Sequence, residues 1–274
     1  MNWNLFTIST LTLALTSLAL SILFLVFGKT KLHRIWGYYN IAVGTWGIGG
    51  FFAGFANDGS ISLLWWRIAH VGVWAIPILL LHGILLFSDI KIFRLYLRLI
   101  YLSWSIFLFL IPTDIFFPGI KYVFGQFYYP ILGVAYYFFF ICWIAIVIIS
   151  QLVLISRYSK SSKFKKHQIR YLFAGLLLGF SGGITNFLPG FVNVYPFGNF
   201  GITLYSLVIA YAIFKHRLLD LSVVLTRASI FISVYLFVLG IPFVIVKFFE
   251  PSLVSIFGKN WWLFVLLCST FLAT

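Results

Sequence analysis

Apolar residues run along this chain in long blocks, and polar residues fall in short breaks between them. A helix needs about 20 apolar residues to cross about 30 Å of hydrocarbon. On that measure the pattern predicts spans at Leu5–Phe27, Trp36–Phe55, Leu63–Phe87, Leu95–Ile111, Ile131–Ile155, Tyr171–Leu188 and Phe200–Phe214, then an eighth at Ser229–Phe249. A ninth opens at Trp261 and is still running at Thr274. Its 14 residues reach only about 21 Å at helical rise, so the expectation is the front of a longer protein, cut within a span. The predicted fold class is all-α, a polytopic transmembrane bundle of seven spans (residues 1–220) plus a trailing hairpin (residues 221–274). The longest break, Pro112–Pro130, carries Pro118, Tyr122, Tyr128 and Tyr129 and reads as a loop lying on the membrane interface.

The breaks fix an expected orientation. Those after spans one, three, five and seven hold 15 of the 19 Lys and Arg residues, among them Arg157, Lys160, Lys163, Lys165, Lys166 and Arg170. The alternate breaks hold only Lys121, Lys247 and Lys259. Positive charge marks the cytoplasmic side, so the N-terminus is expected outside and the basic loops inside.

Composition agrees with lipid as the solvent: 62% of residues are hydrophobic and 9% charged. A soluble domain of this size has too little interior to hide that apolar surface. The net charge of +14 raises nucleic acid as a partner, but the charges are dispersed between spans and leave no soluble basic face. Anionic lipid headgroups are the expected counterions. Cys142 and Cys268 each lie in an apolar run and read as small buried thiols. No disulfide framework, metal box or cofactor motif is expected.

Candidate chemistry is sparse. In span three Arg67, His70 and Trp74 fall at i, i+3 and i+7 on one helix face, with Arg67 near the outer end. An ionisable group inside a span is a functional candidate. The alternative is a headgroup anchor (Arg67) and a helix-to-helix hydrogen bond (His70). Pro77 is expected to kink the span. Gly175, Gly179 and Gly183 recur every four residues in span six, so that face is expected to pack closely, within the bundle or across a dimer. The outer stretch at 186–199 offers Asn186 and Tyr195 beside aromatic walls, a candidate seat for a small apolar or amphiphilic ligand, or a plain connecting turn. Among the five carboxylates none falls mid-span beside a histidine, which speaks against an embedded enzyme and against a proton-coupled pump.

The stretch 157–235 resembles a known family. A basic loop leads through HQIRYLFAG into the glycine-rich span, followed by NFLPG, Tyr195–Pro196 and the run AYAIFKHRLLDL at 210–221. Together with WWRIAHVGVWAIPILLLHGILLF of span three, these are similar to the seven-helix N-terminal sensor region of bacterial membrane histidine kinases. The resemblance implies a sensory module of the bacterial inner membrane, without catalytic domains in this chain, paired as a homodimer through a region further on. It makes His216, Arg217 and Asp220 candidates for signal coupling to an effector. The competing expectation from composition is a small-molecule transporter or permease.

Overall fold

The computed structural model describes residues 3–90 and 94–216. The chain divides into two compact units, Met1–Asp220 and Leu221–Thr274; the account here is of the first. The predicted eighth and ninth spans, Cys268, Arg217 and Asp220, and the side chain of His216 lie outside the described residues.

Among the described residues eight α-helices form: α1 (Leu5–Phe27), α2 (Lys31–Phe55), α3 (Gly59–Phe87), α4 (Arg94–Trp104), α5 (Ile106–Leu110), α6 (Val134–Tyr158), α7 (Lys163–Ile184) and α8 (Asn199–His216). The helices α1, α2, α3 and α7 each start at a residue whose side chain satisfies orphan amides. Asn4 and Thr7 form a reciprocal capping box at α1, Thr30 and His33 another at α2. Asp58 accepts from the Ser60 and Ile61 amides at α3, and Ser162 from the Lys165 amide at α7. The hydrogen bonds from the Ser60 hydroxyl and then the two amides hold the exposed Asp58 carboxyl below its ordinary range.

α1, α3, α6 and the segment Lys163–Gly190 are each long and apolar enough to cross a membrane. The surface pattern is the reverse of a soluble protein. On α1, Phe6, Leu13, Ser17, Leu20 and Phe24 face inward, while Ile8, Leu15, Ile22 and Val26 are exposed. Hydroxyls and apolar groups share the interior, and purely apolar side chains meet the outside, as lipid demands.

Three expectations need correction. The fourth span is broken: α4 ends at Trp104 and α5 starts at Ile106, with the Ser105 hydroxyl turned back onto the Tyr101 carbonyl (2.8 Å). The interface loop folds into an antiparallel hairpin, β1 (Gly119–Val123) and β2 (Phe127–Ile131), paired Lys121 to Tyr129 and Tyr122 to Tyr128. Its turn places Phe124 and Gly125 at positive φ (55° and 65°), closed by the Gln126 amide on the Val123 carbonyl (3.1 Å), the arrangement that suits hairpin twist. Ile131 therefore belongs to a strand, and the next helix starts at Val134. Cys142 is exposed on the outer face of α6 rather than buried.

Small residues set the closest helix approaches. A Cβ on Gly72 would lie 2.3 Å from the Ala42 carbonyl oxygen, fixing α3 against α2. Gly182 plays the same part between α7 and the start of α8, where a Cβ would lie 2.2 Å from the Gly198 oxygen.

Candidate functional site

The end of the bundle that carries the hairpin is a continuous aromatic assembly. Phe6 of α1 stacks on Phe127 of β2 at 4.4 Å between ring centroids and on Trp66 of α3 at 5.9 Å. Trp66 meets Tyr129 edge-on at 5.1 Å, and its indole N–H donates to the Tyr128 carbonyl (2.9 Å). The Tyr129 hydroxyl donates to the Asn186 carbonyl (2.9 Å), and the Lys121 ammonium to the Pro189 carbonyl (2.9 Å). Burial pushes the Tyr129 hydroxyl pKa above its ordinary value, so it stays a neutral donor.

Tyr195 closes this cap. Its hydroxyl accepts from the Phe6 amide (2.9 Å) and donates to the Gln126 side chain (2.9 Å). The Phe6 amide is one of the four orphan donors at the start of α1, so a residue 189 positions away completes that helix end. Burial raises the Tyr195 hydroxyl pKa, and the Phe6 amide opposes the rise. Asn199, at the start of α8 and fully buried, donates to the Ser9 hydroxyl of α1 (3.0 Å).

The three span-three candidates do share a face, and it looks toward α4, α6 and the segment between α5 and β1. They do not converge on one point. The Arg67 guanidinium pairs with Asp114 at 3.2 Å. His70 is buried; its Nδ1 meets the Trp66 carbonyl at 2.8 Å, and its ring sits in a nest of Phe117 (4.7 Å), Tyr136 (5.7 Å) and Phe116 (6.0 Å). Neither His70 Nε2 nor the Tyr136 hydroxyl has a hydrogen-bond partner.

Trp74 belongs to a second arrangement, one turn deeper, built by Pro77. Proline has no N–H, so the carbonyl four residues back, on Val73, loses its helical donor. In hydrocarbon an unpaired carbonyl costs several kcal/mol. The Trp143 indole N–H of α6 supplies the missing bond (3.1 Å). The adjacent Trp74 carbonyl accepts the Trp104 indole N–H (2.7 Å), and the Trp74 indole N–H returns a bond to the Trp104 carbonyl (3.0 Å). Trp104 ends α4, where carbonyls lack helical donors. Three indoles thus tie α4 and α6 to α3 at its proline. Trp104, Trp143, Tyr136 and Phe6 carry no sequence signal of their own; the orphan carbonyl four residues before Pro77 is the one signal pointing to the indoles.

Beside the proline lies a narrow apolar cleft of about 30 Å³, far below the 300–1,000 Å³ typical of a small-molecule pocket. Tyr39, Trp46, Trp143 and Tyr205 line it, with Gly179 and Gly183. The predicted glycine row faces α8: a Cβ on Gly175 would meet Ile209, one on Gly179 would meet Tyr205 and one on Gly183 would meet Ile202. Asn186, predicted as a ligand contact, is buried, its amide N–H on the Gly183 carbonyl (3.3 Å). Among the described residues no group of His, Cys, Asp and Glu could hold a metal ion.

Residues 9–222 match the family described as the N-terminal 7TM region of histidine kinase. This chain belongs to that family. No curated protein and no solved structure matches it. In this histidine-kinase 7TM region α4 and α5 follow one another as a single shorter apolar stretch, Leu95–Leu110, so the eight described helices make seven helical stretches. The region is a polytopic helical membrane protein. The match runs through Arg217 and Asp220.

Proposed function

We propose that this region senses a signal at its aromatic cap and passes it along α3 and α8 toward a cytoplasmic effector. The observation that carries the reading is the pair of carbonyls at Pro77 held by indoles from other helices. Side-chain hydrogen bonds from neighbours, unlike backbone bonds within a helix, can break and re-form as helices shift. They give α3 two alternative packings, and a ligand that favours one shifts the population. The ligand class in this reading is a small apolar or amphiphilic molecule meeting the cap near Tyr195 and Asn186, with Arg67 and His70 beneath. The N-terminus and the hairpin lie outside, the basic loops in the cytoplasm, consistent with the distribution of Lys and Arg. His216, Arg217 and Asp220 then stand at the junction with the trailing hairpin of residues 221–274, through which a homodimer would signal.

The test is a fusion of residues 1–274 ahead of a histidine-kinase core, reconstituted in lipid. Restoring the missing donor with Pro77→Ala should move autophosphorylation at least about fivefold, a shift of about 1 kcal/mol, in either direction at equal expression. Unchanged output from Pro77→Ala and from Arg217→Gln with Asp220→Asn would defeat the reading. The apolar walls and small volume of the interior cleft do not favour a transport path.

A further inference from the structure

At the opposite end of the bundle a cleft of about 380 Å³ opens between the last residues of α3, the last turn of α6 and the first turn of α7. Phe87, Ser88, Asp89, Arg157, Lys160 and Lys165 line it with Ser161, Ser162 and Ile169. We infer that this cleft binds the phosphodiester headgroup of an anionic phospholipid.

The basic loop divides into two sets. Arg170 donates from Nε to the Tyr158 hydroxyl (2.7 Å), and the Lys166 and Arg170 cations lie over the Tyr158 ring. Those two are committed to one aromatic on the α6–α7 turn. Arg157, Lys160 and Lys165 instead turn into the cleft. Lys165 holds its ammonium 3.8 Å above the Phe87 ring centroid, which fixes the wall. Among the described residues the sole ion pair is Arg67 with Asp114 at the other end, so Arg157 and Lys160 bring uncompensated charge. Asp89 is the one carboxylate among the lining residues. Its carboxyl is held there by backbone: Asp89 has φ of 53°, the Asp89 amide bonds the Leu86 carbonyl and the Ile90 amide the Leu85 carbonyl (3.2 and 3.0 Å), the cap that ends a helix in a left-handed residue.

The rest of the lining is made for an oxyanion. The Ser88 hydroxyl is buried without a hydrogen-bond partner. α7 begins at the cleft and adds the partial positive charge of its N-terminus. An arginine and lysines around one concavity are the usual partners of a phosphate group.

The surface assigns that phosphate to a lipid. Ile149 and Leu152 are exposed about a turn apart on α6, on the side that leads to Lys160. Phe164, exposed on the first turn of α7, flanks the other side. An acyl chain lying along that stripe brings its headgroup to the mouth of the cleft.

Native mass spectrometry of the full chain in detergent, titrated with phosphatidylglycerol or with phosphatidylcholine of the same acyl chains, tests this. Phosphatidylglycerol should bind more tightly. Arg157→Gln with Lys160→Gln should weaken it about tenfold and leave phosphatidylcholine unchanged. Lys29→Gln with Lys31→Gln, which removes the same charge from the α1–α2 turn, should change it less than about twofold. Arg157→Lys with Lys160→Arg should restore binding, which separates lost charge from lost fold. Equal weakening by the two charge-removing pairs would overturn the proposal in favour of diffuse attraction. Inorganic phosphate displacing the lipid at equal concentration would overturn it in favour of a soluble anion.

Discussion

The two ends of the bundle are closed by different means. At the hairpin end, side chains tie residues far apart in sequence: Tyr195 to the Phe6 amide, Asn199 to Ser9, Lys121 to Pro189, Tyr129 to Asn186. At the basic end, caps and short-range bonds stand out: Thr30 with His33, Ser162 with Lys165, and Arg170 with Tyr158 across one turn, while the Lys165 ammonium reaches from α7 to the Phe87 ring of α3. Local bonds stabilise each helix end but not the distance between helices. Long-range bonds do both. The hairpin end is therefore held as a frame by side chains that bridge its elements.

The largest expected effect comes from forcing the frame apart. Gly182→Ala places a Cβ 2.2 Å from the Gly198 oxygen and should cost roughly 3 kcal/mol in denaturation by sodium dodecyl sulfate. Gly183→Ala next to it meets Ile202 at an ordinary 3.5 Å and should be neutral or slightly stabilising, because alanine is the better helix former. Similar losses from both would mean that the close approach at Gly182 is not what holds α7 to α8.

A smaller effect is expected at the proline. Trp143→Phe keeps the bulk but leaves the Val73 carbonyl unpaired, at a cost of about 1–3 kcal/mol. In a Pro77→Ala background the helix supplies its own donor, and the same change should cost less. Additive losses in that double-mutant cycle would show that the indole does not substitute for the missing amide.

The same chemical change can then be made at both ends. Tyr195→Phe removes the donor to Gln126 and the acceptor for the Phe6 amide, and should cost about 1 kcal/mol and speed hydrogen exchange at Phe6. Tyr158→Phe removes one exposed contact to Arg170 and should cost a few tenths of that. Equal losses would erase the distinction between the ends.

The smallest effect is assigned to Arg67. Its partner Asp114 is 85% exposed, so Arg67→Gln should change stability by at most about 0.5 kcal/mol, less at high salt. A larger loss would point to a role for the buried Arg67 Nε, which has no partner.

Much of this fold was legible in the sequence, because block hydrophobicity reports the solvent directly. The spans over α1, α2, α3, α6 and α8 start and end close to the predicted residues. The break at Ser105 was not legible, since a run such as SWSIFLFL is apolar on both sides of it and carries neither glycine nor proline. The hairpin was missed for a related reason. Its turn uses Phe124 where asparagine or aspartate gives the familiar signal, and a loop rich in tyrosine resembles an interface segment equally well. The candidate site was half legible. The face shared by Arg67, His70 and Trp74 follows from helical spacing, but their partners Asp114, Tyr136 and Trp104 come from other elements, and spacing within one helix says nothing about them.

The indoles around Pro77 have a further consequence. Trp104 and Trp143 each spend their ring N–H on a carbonyl within a turn of Pro77, and Trp74 returns its own to the Trp104 carbonyl. Ring N–H vibrations and near-ultraviolet circular dichroism respond to that bond directly. The protein therefore carries its own optical gauge at the point where α3 would have to bend, and rearrangement there can be followed in unlabelled material.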